Sequence, residues 1–390
     1  MKAFTFQAPP NILFEAGASS KLAETVASYG VERVLLVTDK GVRNAGLTKG
    51  AEASLAKSGC TLTVFDEVEA DPPSHIIERA IRLCRDNRIE LVASIGGGSA
   101  LDTAKLVAYL AKTPDRLDDI YGVGLAKGER LPLLLAPTTA GTGSEVTPIA
   151  IVTTPTTEKK GVVSPRLLPD WAILDPELTL GLPAHVTAAT GIDAMVHAIE
   201  AFTSKHKKNP MSDQLARQAL SLLSANVRTV CADGSNLEAR SQMLLGSMLA
   251  GMAFANAPVA AVHALAYPIG AIFHVPHGLS NALVLTQVLR FNLPDAEALY
   301  AELAPIVDPR TESLPTSQKA RLFVDAMAAI CTACKVPPSL ADVGIKAGDL
   351  KKLAEDAMKQ TRLLVNNPRE VRYDDALAIY TEAFGNRAAA

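Results

Sequence analysis

Along roughly the first 180 positions, two apolar patterns take turns. Short continuous runs, Val34-Leu35-Leu36-Val37-Thr38, Thr61 to Phe65 and Leu91-Val92-Ala93-Ser94-Ile95, predict buried strands. Between them, Ser20 to Tyr29 (closed by Gly30), Leu47 to Lys57 and Ser74 to Asn87 predict amphipathic helices. Met1 to Gln7 alternates like a short strand. Strand and helix in regular alternation imply a parallel sheet covered on both faces.

Beyond Trp171-Ala172-Ile173-Leu174-Asp175-Pro176 the strand-like runs stop. Helical periodicity takes over at Ile192 to Thr203, Pro210 to Val230, Leu237 to Ala255 and Val259 to Phe273, with more helices up to Phe384. The expected organisation is an α/β domain over 1–180 and an all-α domain over 181–390. A chain of 390 residues is long enough for each to bury its own core.

Composition narrows the function classes. Charged residues are 20% of the chain and the net charge is −3, so no basic excess points to nucleic acid or to an anionic membrane surface. The longest apolar run, Ala257 to Phe273, is interrupted by Pro258, His263 and Pro268 and makes a poor membrane span. With no signal-peptide core at the N-terminus, the default location is cytoplasmic. Five scattered cysteines do not make a disulfide framework, and Cys331 and Cys334 read as two buried thiols in a helix. Lys205-His206-Lys207-Lys208 reads as a solvated helix end.

The strand at Leu91 to Ile95 runs directly into Gly96-Gly97-Gly98-Ser99 and a helix. Glycines at such a junction let backbone N–H groups approach an anion, and the helix dipole adds attraction, so a phosphate or pyrophosphate is the natural guest. After the next strand come Thr138, Thr139, Gly141, Thr142, Gly143 and Ser144. Their hydroxyls could satisfy their own turn or bind a ribose, diphosphate or nicotinamide amide. Asp39, at a strand end, could accept from a ribose hydroxyl and would repel a 2′-phosphate, favouring NAD over NADP; it could equally cap a turn.

The helical half carries the second chemistry. Three of the seven histidines, His263, His274 and His277, fall in one apolar stretch. Buried imidazoles need partners, and a metal ion is one. Upstream, Asp193 and His197 stand four residues apart, on one face of a helix. With His263 and His277 they make one oxygen and three nitrogen donors, a set that suits a divalent transition metal and not Ca²⁺ or Mg²⁺. Taken singly, each histidine is more often a hydrogen-bonded core residue.

Three segments together resemble the iron-containing, or group III, alcohol dehydrogenase family: Gly96 to Ser99 with Asp102 and Lys105, Pro137 to Glu145, and Gly191 to His197 joined to His263 through His277-Gly278. The resemblance covers nearly the whole chain. It implies a Rossmann-like dinucleotide-binding domain, a helical metal-binding domain and an active site in the cleft between them. It further implies Asp193, His197, His263 and His277 as metal ligands, and Asp39, Gly96, Gly97, Gly98, Ser99, Asp102, Thr138, Thr139 and Thr142 as the NAD contacts. Fe²⁺, with Zn²⁺ as an alternative, a homodimer and a small alcohol or aldehyde as partner belong to the same expectation. Many members have a histidine where this chain has Tyr267, so proton transfer is expected to fall to His274, the first candidate, or to Tyr267.

The chemistry expected is metal-assisted hydride transfer between NAD(H) and a primary alcohol or aldehyde. Phe254 and Phe273 suggest an apolar pocket. A lyase resembling dehydroquinate synthase is the main rival, although its polyanionic substrate would call for several Lys and Arg near the ligands. An idle NAD-binding protein with a structural metal is another; its site would be closed by its ligands.

Overall fold

The computed structural model describes residues 3–156 and 158–385. Nine strands are found among them: β1 Asn11–Phe14, β2 Arg33–Val37, β3 Thr61–Phe65, β4 Leu91–Gly96, β5 Gly122–Val123, β6 Leu133–Pro137, β7 Ile149–Thr153, β8 Lys159–Val163 and β9 Trp171–Leu174. Six of them form one sheet in the order β1-β9-β6-β4-β2-β3, every pair parallel. Along these strands the side chains alternate: Leu35, Val37, Val92, Leu133 and Leu135 pack into one core, Val34, Leu36, Leu91, Ala93, Leu134 and Ala136 into another. Because both faces are covered, the strands read as unbroken apolar runs.

The strand order explains where the loops go. From β2 the chain moves outward to β3, then returns to place β4 on the other side of β2. Ligands of open α/β sheets bind where the order reverses in this way, at the carboxyl ends of the strands. Register sets Val37 beside Ser94 and Gly96 beside Pro137. The segments that begin at Thr38, Gly97 and Thr138 therefore leave neighbouring strands at the same edge.

By contact the chain divides into one unit from Gln7 to Gly181 and another from Leu182 onward, which also takes in the residues before Gln7. The second unit is helical. Its Ala184–Thr203 helix, apolar almost all round and buried from Ile192 to Thr203, packs against Pro210–Ala232, Leu237–Asn256 and His277–Val307. Asn209 and Asn236 cap two of these helices by accepting from the N–H groups of Ser212 and Ala239. No single helix among the described residues is long and apolar enough to cross a membrane.

Several details depart from expectation. Met1 and Lys2 lie outside the described residues, and Ala3 to Gln7 form no strand; the edge strand is β1, after Pro9 and Pro10. A three-stranded sheet, β5-β8-β7, went unforeseen, because β5 is two residues long and β8 contains two lysines and a glycine. Cys331 lies in the Thr316–Ala333 helix and is only half-buried, while Cys334 is buried as its C-cap; all five cysteines are free thiols.

Candidate functional site

In the α/β unit the glycine loop is shaped by close approach. Gly97 is the N-cap of the Gly98–Leu110 helix, and no side chain caps it, so the first N–H groups of the helix are open to an anion. A Cβ on Gly98 would lie 2.8 Å from Thr142 Cγ2, and one on Gly96 would lie 2.6 Å from Ala100 Cβ and 3.8 Å from Asp39 Oδ2. Thr138 N–H donates to the Gly96 carbonyl at 2.9 Å. The Asp39, Gly96–Ser99 and Thr138–Thr142 segments thus lie together at the strand ends.

Their side chains are largely occupied with one another. Asp39 Oδ1 caps its own turn, accepting from Val42 N–H at 2.9 Å. Ser99 Oγ accepts from Asp71 N–H, and Thr142 Oγ1 from Ser144 N–H, both at 3.2 Å. Asp102 accepts from Ser144 Oγ at 2.6 Å, from Ile151 N–H at 2.9 Å and from Lys105 Nζ at 3.2 Å. Lys105, wholly buried, also donates to Ser144 Oγ and the Ile149 carbonyl; burial pulls its pKa down. Asp102, implied by the resemblance as an NAD contact, and Lys105 brace the hydroxyl-rich loop. Glu145 lies in the same core with Oε1 unpartnered, and burial pushes its carboxyl up to about 7.

In the helical unit four side chains from three helices converge. Asp193 and His197 share a face of the Ala184–Thr203 helix, His263 lies in the first turn of Ala261–Phe273, and His277 opens His277–Val307. One donor atom from each lies within 4.8 Å of the others. His263 Nε2 is 3.0 Å from His197 Nε2 and 3.7 Å from Asp193 Oδ1, and His277 Nε2 is 3.6 Å from that oxygen. A tetrahedral ion with bonds near 2.1 Å would hold its ligands about 3.4 Å apart. Asp193 and His263 side chains are 2% and 3% exposed, His277 32%, so the cluster opens on the His277 side.

Local packing holds each donor. Asn281, one turn after His277, donates to Asp193 Oδ1 at 2.5 Å. Gly278 lets the first turn of its helix press on the Ala184–Thr203 helix, since a Cβ there would lie 2.4 Å from the Ala189 carbonyl oxygen. Behind His263, Glu200 Oε2 lies 2.7 Å from Nδ1. Phe254 stacks on His197 with ring centroids 4.3 Å apart, and Tyr267 lies 5.9 Å from His277. His274 stands outside the group of four: it ends its helix at φ 55 with an exposed side chain.

Glu200 and Asn281 were not foreseen. Their spacing offered a signal, three residues after His197 and four after His277, but such spacing is common on any helix.

The donor set fits a divalent cation. Two buried carboxylates, Asp193 and Glu200, flank three imidazoles with no Lys or Arg among them, and burial with Glu200 nearby pushes the Asp193 carboxyl up to about 6. A charge of +2 would balance them. Nitrogen and carboxylate donors in this ratio select iron or zinc over calcium.

Comparison with known proteins agrees. Residues 9–176 match the family described as iron-containing alcohol dehydrogenase, and residues 187–384 match its C-terminal part. The chain is 39% identical to long-chain-alcohol dehydrogenase 1 of Geobacillus thermodenitrificans, over 94% of this chain and 93% of that one. A crystal structure of 1,3-propanediol oxidoreductase superposes with a TM-score of 0.95 at 35% identity, covering 98% of this chain and all of that one. Sulfoacetaldehyde reductase from Bifidobacterium kashiwanohense, solved in complex with NAD⁺, superposes at 0.88 with 28% identity, over 99% and 100% of the two chains. These matches favour the dehydrogenase expectation over the lyase. The chain belongs to the iron-containing alcohol dehydrogenase family and is an NAD-dependent oxidoreductase of that type.

Proposed function

We propose that the protein interconverts a primary alcohol and its aldehyde, with Asp193, His197, His263 and His277 holding Fe²⁺ or Zn²⁺ and NAD(H) exchanging the hydride. The observation that carries this reading is the convergence of one carboxylate oxygen and three imidazole nitrogens within 4.8 Å. When bound there, the cation supplies Lewis acidity toward a substrate oxygen. Asp193 contributes the negative charge that retains it, and the half-exposed His277 marks the side from which substrate enters.

Phe254, stacked on His197, and Tyr267, tilted beside His277, border that approach with aromatic surface, which suits an unbranched aliphatic chain better than a charged one. Tyr267 is the better placed of the two candidates for passing the alcohol proton to water, since its ring borders a ligand while His274 points to solvent. Tyr267→Phe should lower kcat about 10²-fold with metal content unchanged; an unaltered kcat would remove Tyr267 from the reaction.

Asp39, Gly96, Gly97, Gly98, Ser99, Thr138, Thr139 and Thr142 form the cofactor site in this reading, with Asp102 acting behind them. Five free thiols suit a reducing cytoplasm. Exposed Ile12 and Phe14 on the edge strand β1 support a homodimer, measurable by light scattering. The deciding experiment is a screen of alcohols and aldehydes with apo protein reloaded anaerobically with Fe²⁺ or Zn²⁺, following NADH absorbance. Turnover with short or medium aliphatic alcohols is expected; no NADH change with either metal would end the proposal.

A further inference from the structure

Glu200 is 4% exposed, and three donors converge on its two oxygens. Val262 N–H reaches Oε1 at 2.6 Å, Ala260 N–H reaches Oε2 at 2.9 Å, and His263 Nδ1 lies 2.7 Å from Oε2. Ala260 is the N-cap and Val262 the second residue of the Ala261–Phe273 helix, so a side chain from another helix satisfies N–H groups that its own turn leaves open. One carboxylate therefore ties the helix bearing Asp193 and His197 to the start of the helix bearing His263.

We infer that Glu200 is a positioning residue for the metal centre: it holds His263 with the proton on Nδ1 and Nε2 bare toward the ion, and thereby sets how tightly the ion is retained. A carboxylate accepting from two backbone N–H groups has no hydrogen to give, so Nδ1 must be the donor. The other ring nitrogen then presents its lone pair 3.0 Å from His197 Nε2, inside the cluster. Partners of this kind fix tautomer and ring orientation and raise ligand basicity.

Glutamine cannot reproduce the arrangement. With its oxygen toward Ala260 and His263, its NH₂ meets Val262 N–H head-on; turned over, the NH₂ meets Ala260 N–H and can donate to Nδ1, which moves the ring proton onto Nε2. Either orientation misaligns the ligand, by shifting the helix start or by reversing the tautomer.

This inference rests on the four-ligand reading, and the test separates the two. Full-length apo wild type, Glu200→Gln and Asp193→Ala are titrated anaerobically with Co²⁺ alone, reading the d–d absorption and competition with a chromophoric chelator. Glu200→Gln should bind about 10- to 100-fold more weakly and with an altered d–d spectrum, and Asp193→Ala should lose the site. Binding by Glu200→Gln within twofold of wild type, with Asp193→Ala inactive in binding, overturns the role of Glu200 and leaves the site standing. A lowered apo melting temperature with unchanged affinity also overturns it, because that is all a purely structural cap would do. Undiminished binding by Asp193→Ala would instead overturn the ligand set. Should Glu200→Gln not fold, ¹⁵N-histidine-labelled wild type loaded with Zn²⁺ decides: a hydrogen-bonded, downfield Nδ1–H on His263 is expected, and a bare Nδ1 refutes the inference.

Discussion

The glycine loop of the α/β unit and the histidine cluster of the helical unit represent two ways of making a site. In the first, backbone N–H groups are left uncapped and the side chains are mostly engaged with each other: Asp102, Lys105, Ser144 and Thr142 form a closed network beneath the loop. In the second, one donor atom from each of four side chains lies within 4.8 Å of the others, an arrangement that suits a cation. The α/β site is preformed by hydrogen bonds within the chain, whereas the helical site is braced from behind by Glu200 and Asn281 and left electrostatically open in front. Polar groups in the first should tolerate an empty site, while those in the second pay for one with unbalanced charge.

The contrast is broken most strongly by removing a donor. Asp193→Ala should lose the metal and lower kcat/KM on the order of 10³-fold, while the NAD affinity, measured by fluorescence titration, stays within a few-fold of wild type. Equal losses in both would show that the two sites are not separable.

Gly278→Ala attacks the same site through packing. The added methyl would lie 2.4 Å from the Ala189 carbonyl oxygen, so the His277 helix must shift. A destabilisation of about 1–3 kcal/mol is expected by denaturant titration, together with weaker metal retention. An intact stability would mean that the first turn of that helix gives way freely.

Gly98→Ala is the counterpart in the α/β unit, where the methyl would lie 2.8 Å from Thr142 Cγ2. KM for NAD should rise about tenfold, near 1.4 kcal/mol, with metal content unchanged. A fall in metal content instead would contradict the assignment of that loop to the cofactor.

The smallest effect concerns Glu145, whose folded-state pKa is raised from its ordinary 4.5 to about 7 by burial. The folded protein keeps this proton over an interval in which the unfolded chain has released it. Stability should therefore fall as pH rises from about 4.5 to about 7 and level off above. Glu145→Gln should remove that fall and be more stable than wild type at pH 8, with the difference vanishing near pH 4.5. A variant less stable at pH 8 would show that the ionised carboxylate is satisfied in the fold.

Much of this was legible before any coordinates. The strands at Val34, Thr61 and Leu91 announce themselves because burial on both faces permits only apolar residues. Asp193 and His197 lie at helical spacing, and their residue types restrict what they can bind. What stayed hidden depends on distance in space and not along the chain. Glu200 reaches His263, 63 residues away, and Asn281 reaches Asp193, 88 residues away, and nothing local marks either. Asp102, which the resemblance implies as an NAD contact, accepts from Ser144 and Ile151, partners 42 and 49 residues along the chain that nothing local marks. His274, the first candidate for proton transfer, ends its helix in the left-handed region with its side chain exposed, which a histidine's letter alone does not reveal.

The uneven exposure of the four proposed ligands bears on how an ion would come and go. Asp193, His197 and His263 are sealed inside, and only His277 meets solvent. A chelator approaching an ion held by the four would meet His277 first. Residence time would then be governed by a single swinging side chain, even where total avidity reflects all four.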